Sequence, residues 1–405
     1  MADADVSICI PAWQAEEFIA RTLACARQQT HVAIRILVSV DLCDDATAAI
    51  CREHARQDQR IEVVAQKERL GWSENANSLL DRVSTEFYFL YFHDDIIEPT
   101  YTARLVEVLR ERPDATSAHC DLEEFGKQQT IRPGYAYEGS DTQRLLNFLV
   151  GPVKGTTLRS LTRSDVLSRG LRFPNIAGNG FWRCHPFHMH LLAAGPALHV
   201  PKVLYRRWQR DGSMTKTWGV KSVEALIDGQ RESGRICLDI IEDANASPAE
   251  KEILRFSLYI MMMTWTRRNE IRLNAPELVE PSAVSPAFAD IRLPETLNAL
   301  SLESRDWVLH AYGELLFLEG QHARRRGDKQ AATSKLAAAV ALHPSLTSAR
   351  EGLARLSPHV HHEELAMTHA TKLLGPSWVR LQNHAGRCSE LNRAIAGSMS
   401  EGTTP

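Results

Sequence analysis

Apolar and polar positions alternate between two periods over the first third of the chain. Val6 to Ile10 and Ile34 to Val40 are short continuous apolar runs, the pattern of strands buried on both faces. Ile61 to Ala65 and Phe87 to Phe92 read the same way. Between them lie stretches with helical spacing: Glu16 to Gln29, Ala46 to Arg56, Gly71 to Val83 and Thr100 to Arg112. Strands alternating with helices of this length predict a parallel sheet covered by helices on both faces. Ligands in such sheets bind beyond the carboxyl ends of the strands. Asp41 ends the second run, and Asp94-Asp95 end the fourth.

Farther on the alternation loosens. Ala115 to Leu122 and His199 to Tyr205 predict strands, and Ser164 to Arg169 a short helix. Gly151 to Thr157 reads as a loop, and Arg206 to Thr215 as a basic loop. From Lys221 the chain turns helical, over Val223 to Ile241 and Pro248 to Arg268. Pro276, Pro281, Pro286 and Pro294 mark a loose connection. Asp306 to Leu356 is helical again. There Gly320, Gly327, Ala332, Leu336, Ala339 and Pro344 follow the spacing of one tetratricopeptide-type repeat. The small polar tail Ser398 to Pro405 is expected to be disordered. The expected domains are an α/β domain at 1–215, a helical extension and linker at 216–300, and an all-α region at 301–405.

Composition narrows the options. The 405 residues suffice for two or three domains. A formal net charge of −3 gives no electrostatic footing for nucleic acid. Eight cysteines lie scattered without a CxxC pair, which fits free thiols in a reducing, cytoplasmic setting. The acidic N-terminus enters a strand directly, so no signal peptide is expected. Phe256 to Trp265 is too short to span a bilayer.

The chemistry concentrates in FYFLYFHDDIIEP, Phe87 to Pro99. Two acids closing an apolar strand are costly unless paired or bound to a cation. A hard divalent ion on such carboxylates would neutralise a diphosphate.

Four motifs carry a family resemblance. VSICIPAWQAEEFIARTL is similar to the opening strand, loop and helix of family 2 glycosyltransferases, whose fold is the Rossmann-like GT-A type. VSVDLCDDAT resembles that family's second-strand motif, RLGWSENAN its turn before the third helix, and FHDDIIEP its metal motif. The resemblance covers the first 120 residues and extends loosely to 215. It implies a nucleotide-sugar donor, UDP-linked in the first instance, and an inverting, metal-dependent transfer to a hydroxyl of a glycan, lipid-linked or small-molecule acceptor. Trp13 would stack on the base and Pro11 would border the nucleotide, Asp41 would accept the base's N–H, Asp94 would lie near the ribose and the ion, and Asp95 would bind Mn²⁺ or Mg²⁺.

The chain departs from the family in three places. Phe92 stands where the first acid of the metal motif is usual. No acid occurs between Arg172 and Pro201, where the family has its base, which leaves His185 and His188 as candidates. Arg210 stands where a late metal-binding histidine is common, and an arginine would clamp the diphosphate instead. The missing base also admits another class: a nucleotide-binding protein acting as an interaction partner, or self-associating, through its C-terminal helices.

Overall fold

A computed structural model describes residues 4–151, 157–176, 181–210, 223–273, 285–288, 291–357 and 362–374. The Gly151 loop, the basic loop after Arg210 and the proline-bearing connection lie partly outside these residues, and the tail at 398–405 wholly so. The chain divides into two compact units, Met1–Ala246 and Ser247–Pro405.

The first unit is built on a mixed sheet. Its strands are β1 (Val6–Ala12), β2 (Ile34–Val40), β3 (Ile61–Ala65), β4 (Phe87–Leu90), β5 (Ile96–Ile97), β6 (Ser117–Gly126), β7 (Thr130–Arg132), β8 (Leu161–Arg163) and β9 (Ala197–Gln209). They lie in the order β3-β2-β1-β4-β8-β6-β9-β5, with β7 paired to β6. β1, β2, β3 and β4 run parallel, so the expected doubly wound half is present. β8 is antiparallel to both β4 and β6. It breaks the alternation with three residues, too few for a periodic signal. β9 extends through Arg206 to Gln209, because those residues pair with Glu123 to Gly126 of β6. Four of the ten residues of the expected basic loop, Arg206 to Gln209, are therefore strand.

Helices α1 (Ile19–Arg27), α2 (Thr47–Gln57), α3 (Trp72–Leu80) and α4 (Tyr101–Glu111) follow the first strands as the spacing predicts. Ile19, Leu23 and Ala26 bury one stripe of α1 against the sheet core, which includes Ile8, Ile10, Phe89 and Tyr91. On the opposite face, Leu79 and Leu80 of α3 pack with Cys9, Leu37 and Tyr88. Helices α5 (Asp141–Val150), α6 (Asp165–Ser168) and α7 (Phe181–Ala194) complete the layers. Helix α8 (Val223–Asp243) belongs to this unit, and its Ser233 hydroxyl donates to the carbonyl of Trp182 in α7 at 2.9 Å. The unit boundary thus falls after Ala246 and not near 215.

The second unit is helical: α9 (Pro248–Leu273), α10 (Leu302–Arg325), α11 (Lys329–Leu342), α12 (Thr347–Leu356) and α13 (His362–Leu374). Gly327, at φ 80°, turns the chain between α10 and α11. Gly320 lets the two helices close, since a Cβ there would sit 2.9 Å from Leu336 Cγ. No helix among the described residues is long and apolar enough to cross a membrane.

Gly126 ends β6 at φ 114°, and a Cβ there would lie 2.5 Å from the Gln209 carbonyl oxygen and 2.8 Å from Trp208 Cδ1. Gly126→Ala is therefore expected to cost about 1–3 kcal/mol through strain and displacement of Trp208. A urea midpoint unchanged from wild type would contradict this.

Candidate nucleotide-diphosphate site

The site gathers at the carboxyl ends of β1, β2 and β4. β1 ends in Pro11 and Ala12 and delivers Trp13. The following Gln14 has φ 44°, an unusual value for a residue with a side chain. Asp41 follows β2 and is buried. One of its oxygens accepts from the backbone N–H of Leu42 at 3.0 Å and of Leu70 at 2.8 Å. The other accepts from Gly71 N–H at 2.9 Å and pairs with the guanidinium of Arg69. Asp41 therefore folds the loop before α3 back over the end of β2. That fold places the Arg69 guanidinium 4.0 Å from the centre of the Trp13 ring. An aromatic face and a planar cation, anchored by one carboxylate, make a platform for a flat heteroaromatic group. Below it, Asn75 fastens the strand ends, with its Nδ2 donating to the Ser39 carbonyl at 3.1 Å.

The HDD turn after β4 is held from β1, α1, β9 and the residues just before β8. His93 Nδ1 lies 3.1 Å from the Pro11 carbonyl. Thr22 of α1 donates to the His93 carbonyl at 2.7 Å, and Arg21 donates to that of Asp94 at 3.0 Å. The two acids point to different places. Asp94 is partly exposed, and Arg210 Nε donates to its Oδ2 at 3.2 Å. Asp95 is buried. Its Oδ2 accepts from the Tyr205 hydroxyl at 2.8 Å and from Arg159 Nε at 3.3 Å, and its Oδ1 from Trp208 N–H at 3.2 Å. Burial pushes the Asp95 carboxyl above its ordinary range, with Arg159 pulling against it.

This arrangement bears on the expected cation site. Both Asp95 oxygens are engaged by protein donors, so a metal there would first have to displace them. Asp94 shares its edge with a guanidinium. Among the described residues no group of three or more His, Cys, Asp or Glu side chains could hold a metal ion. With Asp95 closed off and Asp94 flanked by Arg210, the side chains as placed are a poor fit to Mn²⁺ or Mg²⁺.

The histidines expected as bases are also placed elsewhere. His188 is buried in α7, its ring 5.4 Å from that of Phe148 in α5 and its Nδ1 2.6 Å from the Cys184 carbonyl. Burial pushes it down to about 4, with Arg159 adding to the effect. A group enclosed in this way does not reach an acceptor hydroxyl, so His188 is a core residue. His185 lies in the same helix, with Trp182 and Phe148 as its ring neighbours.

His188 should nevertheless shape acid stability. Its folded pKa lies below the unfolded value near 6.5, so its contribution is intact above that pH. It is lost as the pH falls from there toward about 4. His188→Phe should flatten the fall of the urea midpoint across that window. An unaltered slope would show that other groups govern it.

Two contributors, Arg159 and Tyr205, carry no sequence signature and reach the site only through tertiary approach. Arg21 and Arg69 lie inside motifs that carry the resemblance, but no role was expected of either.

Residues 7–163 match the family model described as glycosyl transferase family 2. The match begins in β1 and ends in β8, so it contains Trp13, Asp41, Asp94, Asp95 and Arg159 but neither Tyr205 nor Arg210. EpsH of Bacillus subtilis is 26% identical over 173 residues, 42% of this chain and 50% of that protein. Glycosyltransferase GlyA of Streptococcus pneumoniae is 23% identical over 250 residues, 57% of this chain and 34% of that protein. The chain thus spans half or less of the length of these relatives. Among solved structures, S. aureus TarS 1–349 in complex with UDP-GlcNAc has a TM-score of 0.56 at 15% identity, covering 87% of this chain and 90% of that one. The same fragment in complex with UDP gives 0.54 at 14% identity, with the same coverage. At these identities the likeness is one of fold, and it bears out the GT-A architecture with helices after it. The matched segment thus holds Trp13, Asp41, Arg69 and both acids, while Tyr205 and Trp208 of β9 reach Asp95 from outside it.

Proposed function

We propose that this chain is a glycosyltransferase that moves a sugar from a nucleotide-sugar, UDP-linked in the first instance, to an acceptor hydroxyl. The observation that carries the reading is the Trp13–Arg69–Asp41 platform beside Asp94 and its arginines, at the strand ends of a family 2 domain. A base would stack against the Trp13–Arg69 pair, with Asp41 holding the loop that presents Arg69. The diphosphate would extend toward Asp94, within reach of Arg210 and Arg21. The UDP and UDP-GlcNAc complexes of TarS support the choice of uridine.

In this reading the acceptor oxygen attacks the anomeric carbon from the face opposite the diphosphate. The bond to the diphosphate oxygen breaks, UDP departs with the electron pair, and the configuration inverts. The acceptor's proton passes to a base that is not assigned to His188. A cytoplasmic setting belongs to the same proposal and is supported by Cys9, Cys51 and Cys120, which are buried as free thiols. So does a tetratricopeptide-like reading of α10 to α12, supported by the close approach of Gly320 and Gly352 to Leu336. The test is a thermal-shift screen of nucleoside diphosphates and nucleotide-sugars on the full chain. Stabilisation by UDP compounds is the expected outcome, and none by any nucleotide would sink the reading.

A further inference from the structure

We propose that Arg210, assisted by Arg21, takes the charge of the donor diphosphate at Asp94, and that nucleotide binding needs no divalent cation. This rests on the nucleotide-diphosphate reading of the site and specifies how the charge is met.

Three observations converge. First, the carboxylate best placed for an ion already has a cation, since Arg210 Nε stands 3.2 Å from Asp94 Oδ2. Arg210 is not merely drawn there by charge. Its guanidinium lies 4.4 Å from the centre of the Phe18 ring, so packing on α1's N-terminal side also holds it. Second, the neighbouring carboxylate is withdrawn from the site by Arg159, Tyr205 and the Trp208 amide. Third, Arg21 converges on the same residue from α1, donating to the Asp94 carbonyl at 3.0 Å, with its guanidinium 5.0 Å from the Trp208 ring. Two carboxylates are thus surrounded by three guanidiniums. A divalent cation entering here meets like charge, whereas a diphosphate meets its complement.

The chemistry of the groups favours the same division of labour. A guanidinium is charged at every working pH and presents parallel N–H donors that match two phosphate oxygens. Aromatic faces under Arg210 and Arg21 restrain both before the ligand arrives, which lowers the ordering cost of binding. Asp94 then serves as a positioning residue, aiming Arg210 from its side chain and Arg21 from its carbonyl.

The experiment is calorimetric titration of the full chain with UDP, once in excess EDTA and once in millimolar Mn²⁺. Equal affinities in the two buffers are expected. Arg210→Ala should weaken UDP binding in EDTA by roughly tenfold or more, the loss of a charge-assisted bidentate contact. Arg210→His should make binding respond to Mn²⁺, because it sets an imidazole ligand beside Asp94. UDP binding that is lost in EDTA and restored by Mn²⁺ in the wild type overturns the proposal. So does an Arg210→Ala protein with wild-type affinity in EDTA. The wild-type comparison stands by itself if a variant fails to fold. UDP binding in neither buffer removes the nucleotide reading, and this proposal with it, which separates the two failures.

Discussion

Asp95→Asn is expected to destabilise the first unit by about 3–5 kcal/mol, although the two side chains are nearly the same size. The reason is the partner left behind. Arg159 is packed between the rings of Phe92 and Tyr205, 4.8 Å and 5.3 Å from their centres. Without the carboxylate its charge is buried and uncompensated. An Asn side chain can still accept from Tyr205 or the Trp208 amide, but it turns an NH₂ toward one of its three donors. The double variant Asp95→Asn with Arg159→Met should recover much of the loss, since removing both charges spares the desolvation of either. Chemical unfolding of the two variants measures this. A single variant within 1 kcal/mol of wild type, roughly the value of an exposed pair, would show that the ion pair is not buried in solution.

Asp41→Asn is expected to remove UDP binding and to cost about 2–4 kcal/mol, because one of its oxygens serves two charge-assisted contacts. An amide NH₂ placed against Gly71 N–H and Arg69 makes the loop before α3 let go. The platform then loses Arg69 even though Trp13 is untouched. Trp13→Ala separates the effects. It should leave the unfolding midpoint near wild type while weakening UDP binding by about 1–3 kcal/mol, the worth of one base stacked on an aromatic ring. If Asp41→Asn weakened UDP no more than Trp13→Ala and left stability intact, Asp41 would be a surface acid with no part in ordering the loop.

The first half of the sheet was legible because its strands are buried on both faces and separated by amphipathic helices. Each strand is then a continuous apolar run that periodicity detects. The same pattern placed Asp41 and Asp94 correctly at strand ends. It could not separate Asp94 from Asp95. Adjacent residues in a turn diverge by geometry that no spacing encodes, and the inward turn of Asp95 depends on Tyr205 and Trp208, more than a hundred positions away. β8 escaped because three residues carry no period. β9 was cut short because Arg206, Arg207 and Gln209 look like loop. They are strand residues whose polar ends pair with Glu123 and Glu124 across the ladder. The histidines misled for the opposite reason. A histidine at the core face of a helix has the same letter as one in a cleft, and only the stacking on Phe148 reveals which it is.

The late arrival of β9 has a consequence for how the protein is made. When a growing chain has emerged as far as residue 163, the whole segment matched by the family is present, with its parallel strands and both acids. Asp95 at that moment has Arg159 but neither Tyr205 nor Trp208, and Asp94 has no Arg210. The proposed donor site therefore cannot mature strand by strand behind the ribosome. It is completed only when the last strand inserts between β6 and β5, so a fragment ending at 163 should bind no nucleotide even if its helices and parallel strands form.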